Sequence, residues 1–191
     1  MGVPAWRFEG NERKYLEEVL SSGFRAGSDG AFTTRLESYF SKTYGASYSV
    51  AFNSGTSTLH ATLLAMGCGP GDEVLTPALT PLMCGLAPYY TGATPVFVDS
   101  MPDTFLMDPA DIERKITDKT KVIFVTHMYG GVCDMDAIMV IAKKNNLMVL
   151  EDCAQCHMGR TGDGRLAGTI GDAGSWSFEN SKHLTTGDGG I

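Results

Sequence analysis

Long apolar runs are missing from this chain. None of its stretches approaches the ~20 consecutive apolar residues that a membrane-spanning helix needs, so no membrane partner is expected. Concentrated positive charge is missing too. The 191 residues carry 15 Lys and Arg against 22 Asp and Glu, a net charge of −7, and no basic block stands out, which argues against nucleic acid. The acidic balance leaves phosphorylated ligands open, because backbone N–H groups hold phosphate without lysines. The opening MGVPAWRFEGNERKY lacks a basic start followed by an apolar stretch, so no signal peptide is expected. Met1-Gly2 is not a myristoylation start, because Trp6 stands where Ser or Thr is required. Cysteines are few and odd in number: Cys68, Cys84, Cys133, Cys153 and Cys156. They have no small-scaffold spacing, and the expectation is reduced thiols in a cytoplasmic protein. Cys153 and Cys156 form a C-x-x-C beside His157, but no second ligand pair matches it, so small buried residues outweigh metal or redox use. Internal repeats, long linkers and low-complexity tracts are also absent.

What is present reads as helix first and then as alternation. The length suggests one domain, or one and part of another. Tyr15, Leu16, Val19 and Leu20 stripe a helix over 12–22 that stops at Gly23. The loop FRAGSDG follows, and Phe32, Leu36, Tyr39 and Phe40 stripe a second helix over 31–44; both stripes are expected to pack. Strands are then expected at 48–52, 73–76, 95–98, 121–126, 147–150 (running into Glu151-Asp152) and 174–178. Helices are expected over 56–66, after Asp108-Pro109 and after Asp134. The alternation implies an α/β fold, a mostly parallel sheet with helices on both faces. Ligands in such sheets bind at the carboxyl ends of the strands. The polar breaks at 53–56, 152–155 and 177–182 fall there.

Three features of those breaks carry chemistry. Ser54-Gly55-Thr56-Ser57 sits between a strand and a helix start, where glycine lets a ligand approach and N–H groups and hydroxyls face an anion; the same residues are also routine helix caps. His60, one turn on, reads as a histidine packed within the helix. Asp152 ends an apolar strand, where a carboxylate either pairs with a protonated ring nitrogen or caps a loop. Lys182 lies between a strand end and a glycine-rich turn, in SFENSKHLTTGDGG, with nine residues after it. A lysine amine forms an imine with an aldehyde and then moves a proton; a lone lysine is otherwise a solvated charge.

In this order the motifs resemble the DegT/DnrJ/StrS family of pyridoxal-phosphate-dependent aminotransferases, which act mainly on keto-sugar nucleotides. The residues that carry the resemblance are NSGTSTLHATLLAMGCGPGDEVLTPALT (53–80), GATPVFVD (92–99), THMYGGVCDMDAIMVIAKKNNLMVLEDCAQCHMG (126–159) and GDAGSWSFENSKHLTTGDGG (171–190), with a weaker match at 21–46. It implies the fold-type-I large domain, a three-layer sheet. Residues 1–46 would be an N-terminal helical segment, 47–191 the cofactor-binding large domain, incomplete at its C-terminus, and a small C-terminal domain would be absent. By the same resemblance Lys182 forms the Schiff base with pyridoxal 5'-phosphate and Asp152 pairs with the pyridine nitrogen. Gln155 lies near the ring, while Gly55, Thr56, Ser57 and Ser177 hold the phosphate. The implied partners are an amino donor such as glutamate, a keto-sugar nucleotide and a second copy of the chain, in a cytoplasmic homodimer.

The chain departs from the family pattern in places. Many members carry an aromatic ring-stacking residue after the threonine of T-P-x-x-T, where this chain has Pro81 after Thr80. G-E-G-G becomes Gly187-Asp188-Gly189-Gly190. Relatives that replace the lysine with histidine are sugar dehydratases, and Lys182 favours transamination instead. Relatives also continue past this point. A second reading is therefore a truncated or non-catalytic half that binds cofactor or a partner and needs a missing part.

Overall fold

A computed structural model describes residues 9–23 and 31–191, which fall in two compact units, 1–49 and 50–191. The first eight residues and the FRAGSDG loop at 24–30 lie outside the described residues. In the first unit, α1 (Glu12–Ser21) and α2 (Ala31–Tyr44) meet through Tyr15 and Phe32, edge to face at 5.5 Å, with the Arg35 guanidinium over both rings. Phe40 and Tyr44 stack on each other and are buried. The α1 stripe does not pack as expected: Leu16 and Leu20 remain largely exposed, and no residue of α1 is buried.

The second unit is built on five parallel strands: β1 (Glu73–Pro77), β2 (Thr94–Val98), β3 (Thr120–Thr126), β4 (Met148–Asp152) and β5 (Ala173–Ser175). Their order in the sheet is β2-β1-β3-β4-β5. Strand side chains alternate between faces, and the core divides accordingly. Val74, Val122, Phe124 and Leu150 pack with Leu59 and Leu63 of α3 (Gly55–Ala65) and with Cys84 and Ala87 of α4 (Leu82–Thr91). Leu75, Ile123, Val125 and Val149 pack on the other face with Ile112 of α5 (Pro109–Lys115) and with Met135, Ile138 and Ile141 of α6 (Met135–Asn145). The expected three-layer parallel α/β architecture is therefore found.

Local signals placed most elements. Asp108 Oδ1 accepts the Ala110 N–H at 2.9 Å, and Asp134 Oδ1 accepts the Ala137 N–H at 3.0 Å, capping α5 and α6. His60 is half-buried on α3 and meets Tyr90 edge to face.

Three expectations need correction. The apolar run at 48–52 is not a strand of the sheet; Phe52 instead exchanges two backbone hydrogen bonds with Gly190, an isolated antiparallel bridge. Tyr48 and Val50 are exposed, so that run has no face to bury. The last strand stops at Ser175 rather than reaching 178, because 176–178 pair antiparallel with 189–191. Finally, α4 was not expected. Pro88 lies inside it and Pro81 precedes it, and proline disfavours helix interiors because it lacks a donor for the carbonyl four residues back. Here that carbonyl, on Cys84, accepts the Thr76 hydroxyl at 3.2 Å, so the lost bond is replaced.

Candidate active site

All five strands run the same way, so their last residues share one edge, where the polar breaks of the sequence gather. Asp152 is the last residue of β4 and is buried. Its Oδ1 accepts the Ala154 N–H at 2.9 Å and its Oδ2 accepts the Cys84 thiol at 3.2 Å. Burial raises this carboxyl above its ordinary value, while the Ala154 and Cys84 donors and the Lys182 charge pull it back. Both oxygens keep unused lone pairs for a further donor.

The turn expected to hold an anion forms the N-terminus of α3. Ser54 is its cap: the hydroxyl oxygen accepts the Ser57 N–H at 3.1 Å. The Ser57 hydroxyl donates to Asn53 Oδ1 at 2.8 Å, so it faces a ligand as an acceptor unless that bond opens. The first N–H groups of a helix, here those of Gly55 and Thr56, have no partner within it. This turn packs on the segment after β5. Thr58 bonds Ser175 through their hydroxyls, and Ser175 pairs in register with Asp152. A Cβ on Gly55 would lie 2.7 Å from Ser177 Cβ, so only glycine permits the approach. Gly190, which pairs with Ser177, is equally close, with its own Cβ position 2.7 Å from the Gly55 nitrogen.

Ser177 is buried; its hydroxyl oxygen accepts the Glu179 N–H at 3.3 Å, which leaves its O–H to donate outward. Its carbonyl accepts the His157 Nε2–H at 3.0 Å. Lys182, half-buried, follows in the turn closed by its own N–H on the Glu179 carbonyl. Its charge acts on both Asp152 and His157. Burial holds the His157 imidazole below its ordinary value, helped by the neighbouring His183 and Lys182 charges. Gln155, half-buried, accepts the Tyr129 N–H through Oε1 at 3.2 Å, which turns its NH2 group elsewhere. Tyr129 makes that bond from a left-handed backbone (φ 52°), a conformation costly for a tyrosine.

The structure thus brings Gly55, Thr56, Ser57, Asp152, Gln155, Ser177 and Lys182 to one edge. Sequence reasoning did not single out Cys84, Ser175 or the buried pair of Glu151 and His127. Glu151, fully buried, accepts the His127 Nε2–H and the N–H groups of Gly168, Ile170 and Gly171 at 2.7 to 3.0 Å. Since His127 Nδ1 accepts the Cys133 N–H, the ring proton sits on Nε2. The five thiols are all buried and free. Burial pushes Cys68 up to about 11 and Cys133 up to about 12. Among the described residues, no group of three or more His, Cys, Asp and Glu is placed to hold a metal, and no helix is long and apolar enough to cross a membrane.

The sequence matches the DegT/DnrJ/EryC1/StrS aminotransferase family over residues 7–191. The chain belongs to this family. It is 43% identical to GDP-perosamine synthase of Caulobacter vibrioides over 191 residues, all of this chain and 51% of that protein. It is 39% identical to a putative L-glutamine:3-amino-2,3-dideoxy-scyllo-inosose aminotransferase of Streptoalloteichus tenebrarius, over 97% of this chain and 45% of that protein. An aminotransferase from Psychrobacter cryohalolentis has the same fold, with a TM-score of 0.92 at 39% identity, over 98% of this chain and 48% of that one. The chain therefore spans about half the length of the relatives it matches.

The donor set fits pyridoxal phosphate. A glycine that admits no Cβ opens a helix N-terminus, suited to a phosphate. A buried carboxylate with spare lone pairs suits a pyridine N–H, and a lysine whose charge reaches that carboxylate suits an aldehyde.

Proposed function

We propose that this chain carries the cofactor half of a pyridoxal-phosphate-dependent aminotransferase, moving an amino group from glutamate to a keto-sugar nucleotide. The observation that carries the reading is the buried Asp152 carboxylate at the end of β4, under the influence of Lys182 and beside the Gly55 turn.

When bound, pyridoxal phosphate supplies an electron sink for the charge left at a donor's α-carbon. Asp152 would hold the proton on the ring nitrogen. The N–H groups of Gly55 and Thr56, with the Thr56 and Ser177 hydroxyls, would bind and orient the phosphate, and the Ser57 hydroxyl would join them on giving up its bond to Asn53 Oδ1. The Gln155 NH2 group, left over by the bond of Oε1 to Tyr129, would lie near the ring. Lys182 would hold the cofactor at its aldehyde carbon, and its amine, once free, would hold and return the proton taken from the donor's α-carbon.

The sugar class follows from GDP-perosamine synthase among the relatives. The name of the Streptoalloteichus relative makes glutamine the second donor to test. We place the protein in the cytoplasm as a homodimer, in keeping with its five free thiols and its family. Neither nucleic acid nor membrane is a proposed partner.

The test loads the full chain with pyridoxal phosphate and follows its absorbance on adding glutamate or glutamine. Donor-dependent bleaching, restored by a keto-sugar nucleotide, supports the reading. A folded chain that holds the cofactor but bleaches with no amino donor favours a non-catalytic half.

A further inference from the structure

Asp152 is held by more than its backbone neighbour. The Cys84 Sγ–H donates to Asp152 Oδ2 at 3.2 Å, the Thr126 hydroxyl donates to Cys84 Sγ at 3.6 Å, and the Thr80 hydroxyl donates to Thr126 Oγ1 at 3.3 Å. Every donor in this relay points toward the carboxylate. Thr126, Cys84 and Asp152 are buried, and Thr80 is the half-buried outer end. Cys84 itself is fixed at both ends of its residue. Its N–H bonds the Pro81 carbonyl at 3.0 Å, and its carbonyl, freed by Pro88, takes the Thr76 hydroxyl of β1.

We propose that Cys84 is a positioning residue for Asp152: its thiol, at the end of the relay from Thr80 and Thr126, fixes where the carboxylate points and how tightly it holds a proton. Burial, with the Asp152 charge adding to it, pushes the Cys84 thiol up, so the sulfur keeps its proton and acts as donor. A thiol is a weak donor. It orients the carboxylate yet leaves it more basic than a hydroxyl would, which suits a group that must hold a ring proton. That consequence rests on the proposed function; the bond between Cys84 and Asp152 does not.

The experiment is a carbon-13 NMR titration of the Asp152 carboxyl in the full chain without cofactor. Besides Cys84, the groups near Asp152 are Thr80, Thr126 and the Ala154 N–H, with the His127 imidazole, the Lys182 charge and the neighbouring Cys153 thiol. These are common to all samples. Cys84→Ser, a stronger donor, is expected to lower the Asp152 midpoint, and Cys84→Ala to raise it, by about one pH unit each. A role in packing alone would lower the melting temperature in both variants and leave the midpoint in place. Unshifted midpoints, or shifts of the same sign, therefore overturn the proposal. Should both variants fail to fold, Thr126→Val decides. Losing the donor to sulfur weakens the thiol's own bond, so the midpoint is expected to rise, and an unchanged midpoint overturns the proposal. If Lys182 in the wild type fails to take up pyridoxal phosphate while the opposite shifts are seen, the proposed function fails and the pairing of Cys84 with Asp152 stands. Normal uptake with unshifted midpoints sinks only the pairing.

Discussion

Glu151 and Asp152 are adjacent in β4 and face opposite sides of the sheet. Asp152 meets Cys84 of α4 on one side, while Glu151 meets His127 and the 168–171 loop on the other. One carboxylate meets a thiol at the strand ends and the other ties strand to loop behind it.

Burial acts first on Glu151 and would raise its carboxyl, but the donors from His127, Gly171 and Gly168 outweigh burial and hold it below its ordinary 4.5. An acid depressed in the folded state stabilises fully above its unfolded value, and that stability is lost as pH falls through the folded one. Glu151→Gln turns an NH2 group toward N–H donors and is expected to cost about 3 kcal/mol near neutral pH. Thermal melts from neutral to acid pH should show the deficit shrinking as the wild type loses its own contribution.

Asp152 behaves with the opposite sign. Its carboxyl is raised above 3.8 by burial, so stability falls as pH rises from the unfolded value through the folded one. Asp152→Asn removes that burden and is expected to melt at or above the wild type at neutral pH, with the gain fading in acid. Its pyridoxal phosphate affinity, read by fluorescence titration, should fall. A variant that melts lower at neutral pH and keeps full affinity would show the carboxylate serving the fold alone.

Much of this was legible in the chain. Asp108 and Asp134 announced their helices because a cap is a local signal, and the apolar strand runs marked the parallel sheet by their burial on both faces. The Gly55 turn and Asp152 could be singled out because strand ends carry ligand sites in such sheets. Cys84 could not, since its bond to Asp152 spans 68 positions and exists only once α4 packs on the sheet. The helix itself was hidden by two prolines whose cost is offset by Thr76, a residue on another element. The 48–52 run shows the converse: apolar composition suggested a strand, but no neighbouring strand covers it.

Gly55→Ala tests the cradle. The new methyl would press on Ser177 Cβ at 2.7 Å and on its Cα at 3.2 Å, closer than backbone and Cβ atoms can approach without shifting. We expect a loss of about 1–3 kcal/mol in stability, seen by chemical denaturation, with weakened binding of pyridoxal phosphate. Ala at Gly69, where a Cβ meets nothing within 4 Å, is the matched control and should leave binding unchanged.

Lys182 is the residue proposed to take the cofactor. The direct measurement is borohydride reduction of the full chain incubated with pyridoxal phosphate, followed by peptide mass mapping, with Lys182→Ala in parallel. A pyridoxyl mass is expected on the peptide holding Lys182 and none at that site in the variant. A folded wild-type chain labelled only at other lysines, or labelled equally in Lys182→Ala, would contradict it.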